Sequence, residues 1–422
     1  MTHRRGLLAL SPLIVFLGVY LVSSFIAKDF YRVPVVAAFL LASAYALLIT
    51  KGGLEERVAV FSKGAGDRGV LLMIWIFVLA GVFASTAKAI GSIDATVAFT
   101  LRVLPGRFIL VGLFVAACFI SMAIGTSVGT IVALVPIASG LSDGTGAPLA
   151  MVVAAIVGGA FFGDNLSFIS DTTIAATRSQ GCSMADKFRT NIWIAGPAAI
   201  VVALLYVFLG QGFEASAPAG EYSLLLLIPY LAVIVLALCG MNVLGVLSVG
   251  ILLNAVLGLA MGRFSWTGFM VATGEGVGSM GDLIIVTMLA GGMLEVIRTG
   301  GGIEFIIGLL TRRIPGRRGA EFSIAALVAL ANVCTANNTI AIITTGGIAK
   351  NIADHFGVDS RKSASILDTF SCIVQGVLPY GAQLLMASGL AGISVASIIG
   401  CLYYPLALLL FAALAILLRF PR

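Results

Sequence analysis

The stretch "GDNLSFISDTT" (163–173) follows directly on "MVVAAIVGGAFF" (151–162). A run as oily as a lipid bilayer passes into one that holds two aspartates, an asparagine, two serines and two threonines. Whether that polar cluster lies in water or inside a membrane decides the fold. Composition points to the membrane. Of 422 residues, 60% are hydrophobic and only 10% charged, where a soluble domain carries about 25% charged residues. Three runs, 6–27, 223–240 and 403–418, contain no charge at all. About 20 helical residues cross a bilayer, and counting such runs predicts an all-α polytopic membrane protein with about 11–13 transmembrane segments.

The first run, preceded by His3, Arg4 and Arg5, has the basic start of a signal peptide. No small-residue cleavage site followed by a polar domain comes after it, so it reads as a retained helix with a cytoplasmic N-terminus. The net charge of +6 then reflects basic loops on an anionic leaflet, and nucleic acid is not an expected partner. The six cysteines have no metal-ligand spacing and read as small buried residues. There is no nucleotide-binding loop and no cofactor motif, so no cofactor is expected, nor an enzyme, nor ATP-driven transport by this chain alone.

The sequence repeats itself at an offset of 210 residues. "LAGVFASTAKAIGSIDATVAFTLRVLPGR" (79–107) aligns without a gap on "LAGGMLEVIRTGGGIEFIIGLLTRRIPGR" (289–317). Lys88 faces Arg298, Gly91 faces Gly301, Asp94 faces Glu304 and Arg102 faces Arg312, so the charges align and not merely the oil; the charged pairs read as interfacial ion pairs. "GTSVGTIVALVPIA" (125–138) then falls opposite "CTANNTIAIITTGG" (334–347), pairing Thr126 with Thr335 and Thr130 with Thr339, and "GDNLS" falls opposite "GVLPY" (376–380). Two transmembrane repeats are expected, 1–212 and 213–422, split at the polar loop 211–221.

Phe108 to Leu141 is apolar for 34 residues, about 51 Å as one helix at 1.5 Å per residue, against a hydrocarbon core of about 30 Å. The chain must tilt, turn back or break, and "GTSVGT" is where a break is cheapest; "TANNT" plays that part in the second half. Broken backbone is tolerated in a membrane only where it lines a cavity or is buried in protein. Freed carbonyls and hydroxyls suit a hard cation such as Na⁺, with one carboxylate to balance its charge. Single Ser and Thr residues are also ordinary helix-packing residues, but Asp164 and Asp171 are not: an intramembrane carboxylate is costly and functional by default. A loop outside the bilayer is the alternative for both, since Arg178, Asp186, Lys187 and Arg189 follow closely.

Neither histidine, His3 or His355, lies in an apolar segment, so a coupled proton must ride on a carboxylate. The candidates are Asp164, Asp171 and Asp368, and less clearly Asp282 and Glu295. A site that holds Na⁺ or H⁺ but not both suffices for antiport.

The motif GDNLSFISDTT resembles the GDKLSPLSDTT signature of the NhaC family of sodium/proton antiporters, and GTSVGT resembles that family's GTSWGT; the likeness runs over roughly 60–390. It implies a secondary transporter working by alternating access, with two inverted repeats, broken helices or re-entrant hairpins, and a site between the halves. Hydropathy alone does not decide the inversion. Carried over by motif position, Gly125, Thr126, Ser127 and Thr130 belong to one ion-binding break, Asp164, Asn165, Ser167, Ser170, Asp171 and Thr172 to the adjoining site, and Asn337, Asn338 and Thr339 to the second half, with Na⁺ as the bound metal. The family lysine is Asn165 here, which should leave Asp164 less compensated; the family proline is Phe168 and the tryptophan Val128. Na⁺/H⁺ exchange in a bacterial cytoplasmic membrane is the leading expectation. The alternative is Na⁺- or H⁺-coupled transport of an amino acid or carboxylate, held by Asn337, Asn338, Gln375, Tyr380 and Gln383. A homodimer is compatible with the sequence. A channel or an intramembrane protease fits less well: the chain is duplicated around an internal site and has no paired catalytic motif.

Overall fold

The computed structural model describes residues 3–26, 34–168, 170–215, 223–310 and 316–420. Arg312, one of the aligned charges, and residues 216–222 of the loop between the halves lie outside them. The described residues form helices and connecting turns. In the first half these are α1 (His3–Ile26), α2 (Val35–Ile49), α3 (Leu54–Ala65), α4 (Arg68–Ile90), α5 (Ser92–Val103), α6 (Ile109–Ile124), α7 (Ser127–Leu134), α8 (Ala138–Thr145), α9 (Leu149–Leu166), α10 (Asp171–Gln180) and α11 (Met184–Leu209). The second half has α12 (Ile228–Leu238), α13 (Val243–Ala260), α14 (Trp266–Ser279), α15 (Gly281–Thr299), α16 (Gly302–Leu310), α17 (Gly316–Thr335), α18 (Asn338–Phe356), α19 (Ser360–Val377), α20 (Ala382–Ala391), α21 (Val395–Gly400) and α22 (Tyr403–Leu418). Among the described residues, eight helical stretches are long and apolar enough to cross a membrane and four shorter apolar helices accompany them. Large side chains such as Phe119, Leu204, Leu252 and Leu410 are exposed, as a lipid-facing surface requires. The chain is a multi-pass membrane protein.

Contacts between helices fix their directions. Gly159 packs on Phe114 and Ala117, and Gly163 on Cys118 and Met122, so α6 and α9 run parallel and start at the same end of the bundle. The segment between them, α7 and α8, must therefore return to that end, which makes α6–α8 a re-entrant hairpin. In the second half Glu321 meets Lys362 and Asn332 meets Ser371, so α17 and α19 are also parallel and α17–α18 is the second hairpin. Between the halves the order reverses. Asn165 meets Asp368 and Thr369, while Phe161 lies against Gly376; α9 and α19 are antiparallel. The repeats are thus inverted, a point that hydropathy left open. Each half makes an odd number of passes, α1, α2, α4, α9–α10 and α11 against α12, α13, α14–α15, α19–α20 and α22, with a hairpin inserted after the third.

The interruptions correspond in backbone geometry. Gly91 and Gly301 both take left-handed angles, φ 81° and 82°, as their alignment predicts. The hairpin breaks correct the expected register. α6 ends before Gly125, φ 76°, and α17 before Ala336, φ 50°, so Gly125 matches Ala336, Thr126 matches Asn337 and Ser127 matches Asn338. Thr126 does not pair with Thr335. Likewise α9 ends at Leu166 and α19 at Val377, while α10 starts at Asp171 and α20 at Ala382, which places Asp164 opposite Gln375 instead of opposite Val377. One hydrogen bond recurs at matched positions: Ser121 Oγ donates to the Ala160 carbonyl at 2.6 Å, and Asn332 Nδ2 to the Ser371 carbonyl at 2.8 Å. Each ties a hairpin arm to the broken helix beside it. Of the aligned charges, Arg298 forms an ion pair with Glu295 at 3.3 Å, and Lys63 reaches the same carboxylate at 3.0 Å.

Candidate functional site

The four helix ends meet around one cavity of about 190 Å³. Its wall includes Gly125 and Thr126 from the first hairpin break, Ala336, Asn337, Asn338 and Thr339 from the second, Asp164, Asp171 and Thr172 from the α9–α10 break, and Gln375, Tyr380 and Gln383 from the α19–α20 break. From there it extends past Leu294 and Gly291 of α15 to Asp67, Gly69 and Val70 at the start of α4. Among the described residues three aspartates line it and no lysine, arginine or histidine does, so its field favours a cation.

Asp164 is buried, and its Oδ2 accepts from Ser127 Oγ at 3.0 Å. Ser127 is the first residue of α7, placed there because Gly125 turns the chain through a left-handed angle that costs a glycine little. Gln383 Nε2 donates to Ser127 Oγ at 3.1 Å, Gln375 Nε2 to Gln383 Oε1 at 2.9 Å and to the Ala336 carbonyl at 3.2 Å. A polar chain thus joins the carboxylate of one half to the break of the other. Thr287 Oγ1, Asn338 Nδ2 and Gln375 Oε1 belong to residues of the wall and have no hydrogen-bond partner among the described residues. A buried polar group left so costs on the order of 1–3 kcal/mol, which favours a bound cargo or water at each.

The other expected residues stand around this wall. Ser170 caps α10, accepting from the Thr173 amide, and donates to the Asp164 carbonyl at 2.9 Å. Ser167 donates to the Met122 carbonyl at 2.9 Å and Thr130 to the Thr126 carbonyl at 3.2 Å; both hydroxyls hold backbone. Asp171 is exposed at the cavity, and Asp67, which the sequence did not single out, caps α4 through Gly69 at 2.8 Å. Tyr380 donates to the Val333 carbonyl at 2.7 Å.

Asn165 and Asp368 lie behind the wall in a second polar cluster. The fully buried Asp368 forms an ion pair with Lys187 of α11 and receives Nδ2 of Asn165 and of Asn191, each at 3.4 Å. The Lys187 ammonium also donates to the Asn165 carbonyl and to Thr173 Oγ1 at 2.7 Å. Reading Lys187 as the mark of an external loop is therefore overturned: only 1% of its side chain is accessible. The positive charge that the motif lacks at Asn165 arrives from the next helix. Lys187 and Asn191 are spaced i, i+4, one helix face, and that spacing is the signal that would have found them.

The sequence profile of the Na⁺/H⁺ antiporter family matches residues 7–211 and 219–420. A malate-2H⁺/Na⁺-lactate antiporter of Bacillus subtilis is 23% identical, over 96% of this chain and 93% of its own. The Na⁺/H⁺ antiporter NhaC of Alkalihalophilus pseudofirmus is 22% identical, over 94% and 91%. Among solved structures, the YdaH transporter of Alcanivorax borkumensis overlays with a TM-score of 0.44 at 13% identity, covering 96% of this chain and 97% of that one. With the profile running through both halves and both hairpin breaks, the chain belongs to the Na⁺/H⁺ antiporter family.

Proposed function

We propose that the chain exchanges Na⁺ for H⁺ at the Asp164 carboxylate. The observation that carries this reading is a buried carboxylate on the wall of a cation-favouring cavity, held among the described residues by a hydroxyl hydrogen bond and no ion pair. Protonated, Asp164 is neutral. When Na⁺ enters, the proton leaves, and the ion takes its place against the carboxylate with neutral oxygens from Ser127, Thr126, Thr172 and Asn337 around it, the donor set a hard cation prefers. Because the two ions share one carboxylate, neither binds while the other is present, and each reorientation of the site carries one of them. The repeats 1–212 and 213–422 supply the two arrangements between which such a site alternates.

Orientation follows from charge. The end of the bundle that holds Gly6 carries Lys51, Arg57, Lys63, Arg68, Arg178, Arg189, Arg298, Arg317, Arg318, Lys350, Arg361 and Arg419. The other end carries, among the described residues, Lys88, Arg102, Arg107 and Arg263. The positive-inside rule supports a cytoplasmic N-terminus in a bacterial cytoplasmic membrane. The cavity, which runs toward Asp67, then opens to the cytoplasm.

A second reading, ion-coupled transport of a small organic solute, is favoured by the size of the cavity: about 190 Å³ exceeds the roughly 30 Å³ of one water. Among the described residues its wall carries no cationic side chain, which disfavours a free carboxylate as that solute. The test is proteoliposomes with an imposed pH gradient and a pH-sensitive dye. Dequenching on addition of Na⁺ alone supports ion exchange. Silence with Na⁺ alone, together with solute-stimulated ²²Na⁺ uptake, overturns it in favour of the solute.

A further inference from the structure

Buried charge in this protein can be counted. Among the described residues the charged side chains that are buried are Asp164, Lys187, Glu321, Lys362 and Asp368. Four of them form two neutral pairs. Lys362 meets Glu321 at 3.4 Å near the Gly6 end of the bundle, with Arg317 also 3.6 Å from Glu321. Lys187 meets Asp368 behind the cavity. That leaves Asp164.

The Lys187 pair is built to stay closed. An ammonium has three N–H donors, and Asp368, the Asn165 carbonyl and Thr173 Oγ1 take them. These acceptors sit on α19, α9 and α10, so the lysine pins both parts of the broken helix to the opposite repeat. Neither Lys187 nor Asp368 lies on the cavity wall. The charged groups on the wall are Asp164 itself and Asp67 and Asp171, both exposed.

We propose that Lys187 is a fixed counter-charge to Asp368, so that Asp164 is the one buried carboxylate left to exchange and transport is one Na⁺ for one H⁺, moving no net charge. This rests on the antiport reading. The carboxylate crosses neutral in both directions, as –COOH or as –COO⁻·Na⁺. Lys187 is a positioning residue: it cancels the second carboxylate without touching the cargo. Without Asp368 its charge would stand uncompensated beside the site and repel Na⁺.

The test clamps the potential of proteoliposomes with K⁺ and valinomycin. Exchange that moved one net charge would shift the steady-state Na⁺ ratio about 50-fold per 100 mV; the expected result for the wild type is no shift. Asp368→Asn should raise the KM for Na⁺ about tenfold or more, the scale of one unscreened charge at close range. The double variant Lys187→Met/Asp368→Asn, neutral again, should bring KM back toward the wild-type value. A voltage-driven Na⁺ ratio in the wild type overturns the proposal, and that measurement stands even if the variants do not fold. So does a double variant that folds and still shows the KM of Asp368→Asn. No Na⁺-dependent proton flux at any potential would instead remove the antiport reading, and this inference with it.

Discussion

Gly163→Ala places a methyl group where α6 and α9 touch, one residue before Asp164. A Cβ built there would lie 2.4 Å from the Met122 nitrogen, 2.5 Å from Ser121 Cβ and 2.7 Å from the Cys118 carbonyl oxygen. Two of the three atoms are backbone, so no change of rotamer relieves the clash, and an ordinary contact near 3.5 Å requires the helices to part by about 1 Å. Overpacking of this kind costs about 1–3 kcal/mol, offset by about 1 kcal/mol of helix propensity gained from Gly to Ala. The net loss of stability is then about 0–2 kcal/mol. Transport is not spared, because the same displacement acts on the 3.0 Å hydrogen bond between Ser127 and Asp164, and a 1 Å misplacement at a functional group costs on the order of 100-fold. Initial rates of Na⁺-driven proton flux in proteoliposomes, read beside the thermal unfolding midpoint, separate the two effects. Gly347→Ala, where a Cβ meets nothing within 4 Å, is the matched control. A Gly163→Ala protein with wild-type rate and KM would refute the reasoning that close approach of α6 to α9 positions Asp164.

Other outcomes follow from the same geometry. Ser127→Ala removes the donor to Asp164 and an acceptor for Gln383, and should raise the KM for Na⁺ about tenfold, the worth of a hydrogen bond to a charged group; an unchanged KM counts against Ser127 in the site. Asn332→Ala leaves the Ser371 carbonyl without its 2.8 Å donor, and should lower stability by about 1–3 kcal/mol in a thermal melt while the KM for Na⁺ stays near its original value. Competition for one carboxylate sets the pH dependence: on the acid side of the site's titration, each unit drop in pH should raise the apparent KM for Na⁺ about tenfold, and a KM that never rises as the pH falls would contradict shared occupancy.

Much of this was legible in the sequence. Composition alone selects lipid as solvent, and the GDNLSFISDTT cluster is conspicuous because carboxylates do not enter apolar segments without a use. Glycine and hydroxyl runs in overlong apolar segments marked both hairpin breaks. Direction was not legible, since an oily segment reads alike both ways; it emerged from which residues touch, Asn165 with Asp368 and Phe161 with Gly376. The register of the breaks slipped because threonines are common packing residues in membrane helices and pair easily by eye, whereas the left-handed turn at Gly125 and Ala336 is a property of backbone. Lys187 was misplaced because lysine among other charges reads as a loop. Its long stem lets the ammonium reach partners on three helices, and no local pattern reports a partner in the other half of the chain.

The central claim, that Na⁺ and H⁺ compete for Asp164, is tested most directly by adding Na⁺ to purified protein in weakly buffered detergent solution and counting the protons released. On the acid side of the site's titration the account predicts one proton released per Na⁺ bound in the wild type and none in folded Asp164→Asn. Equal release from both proteins would contradict it.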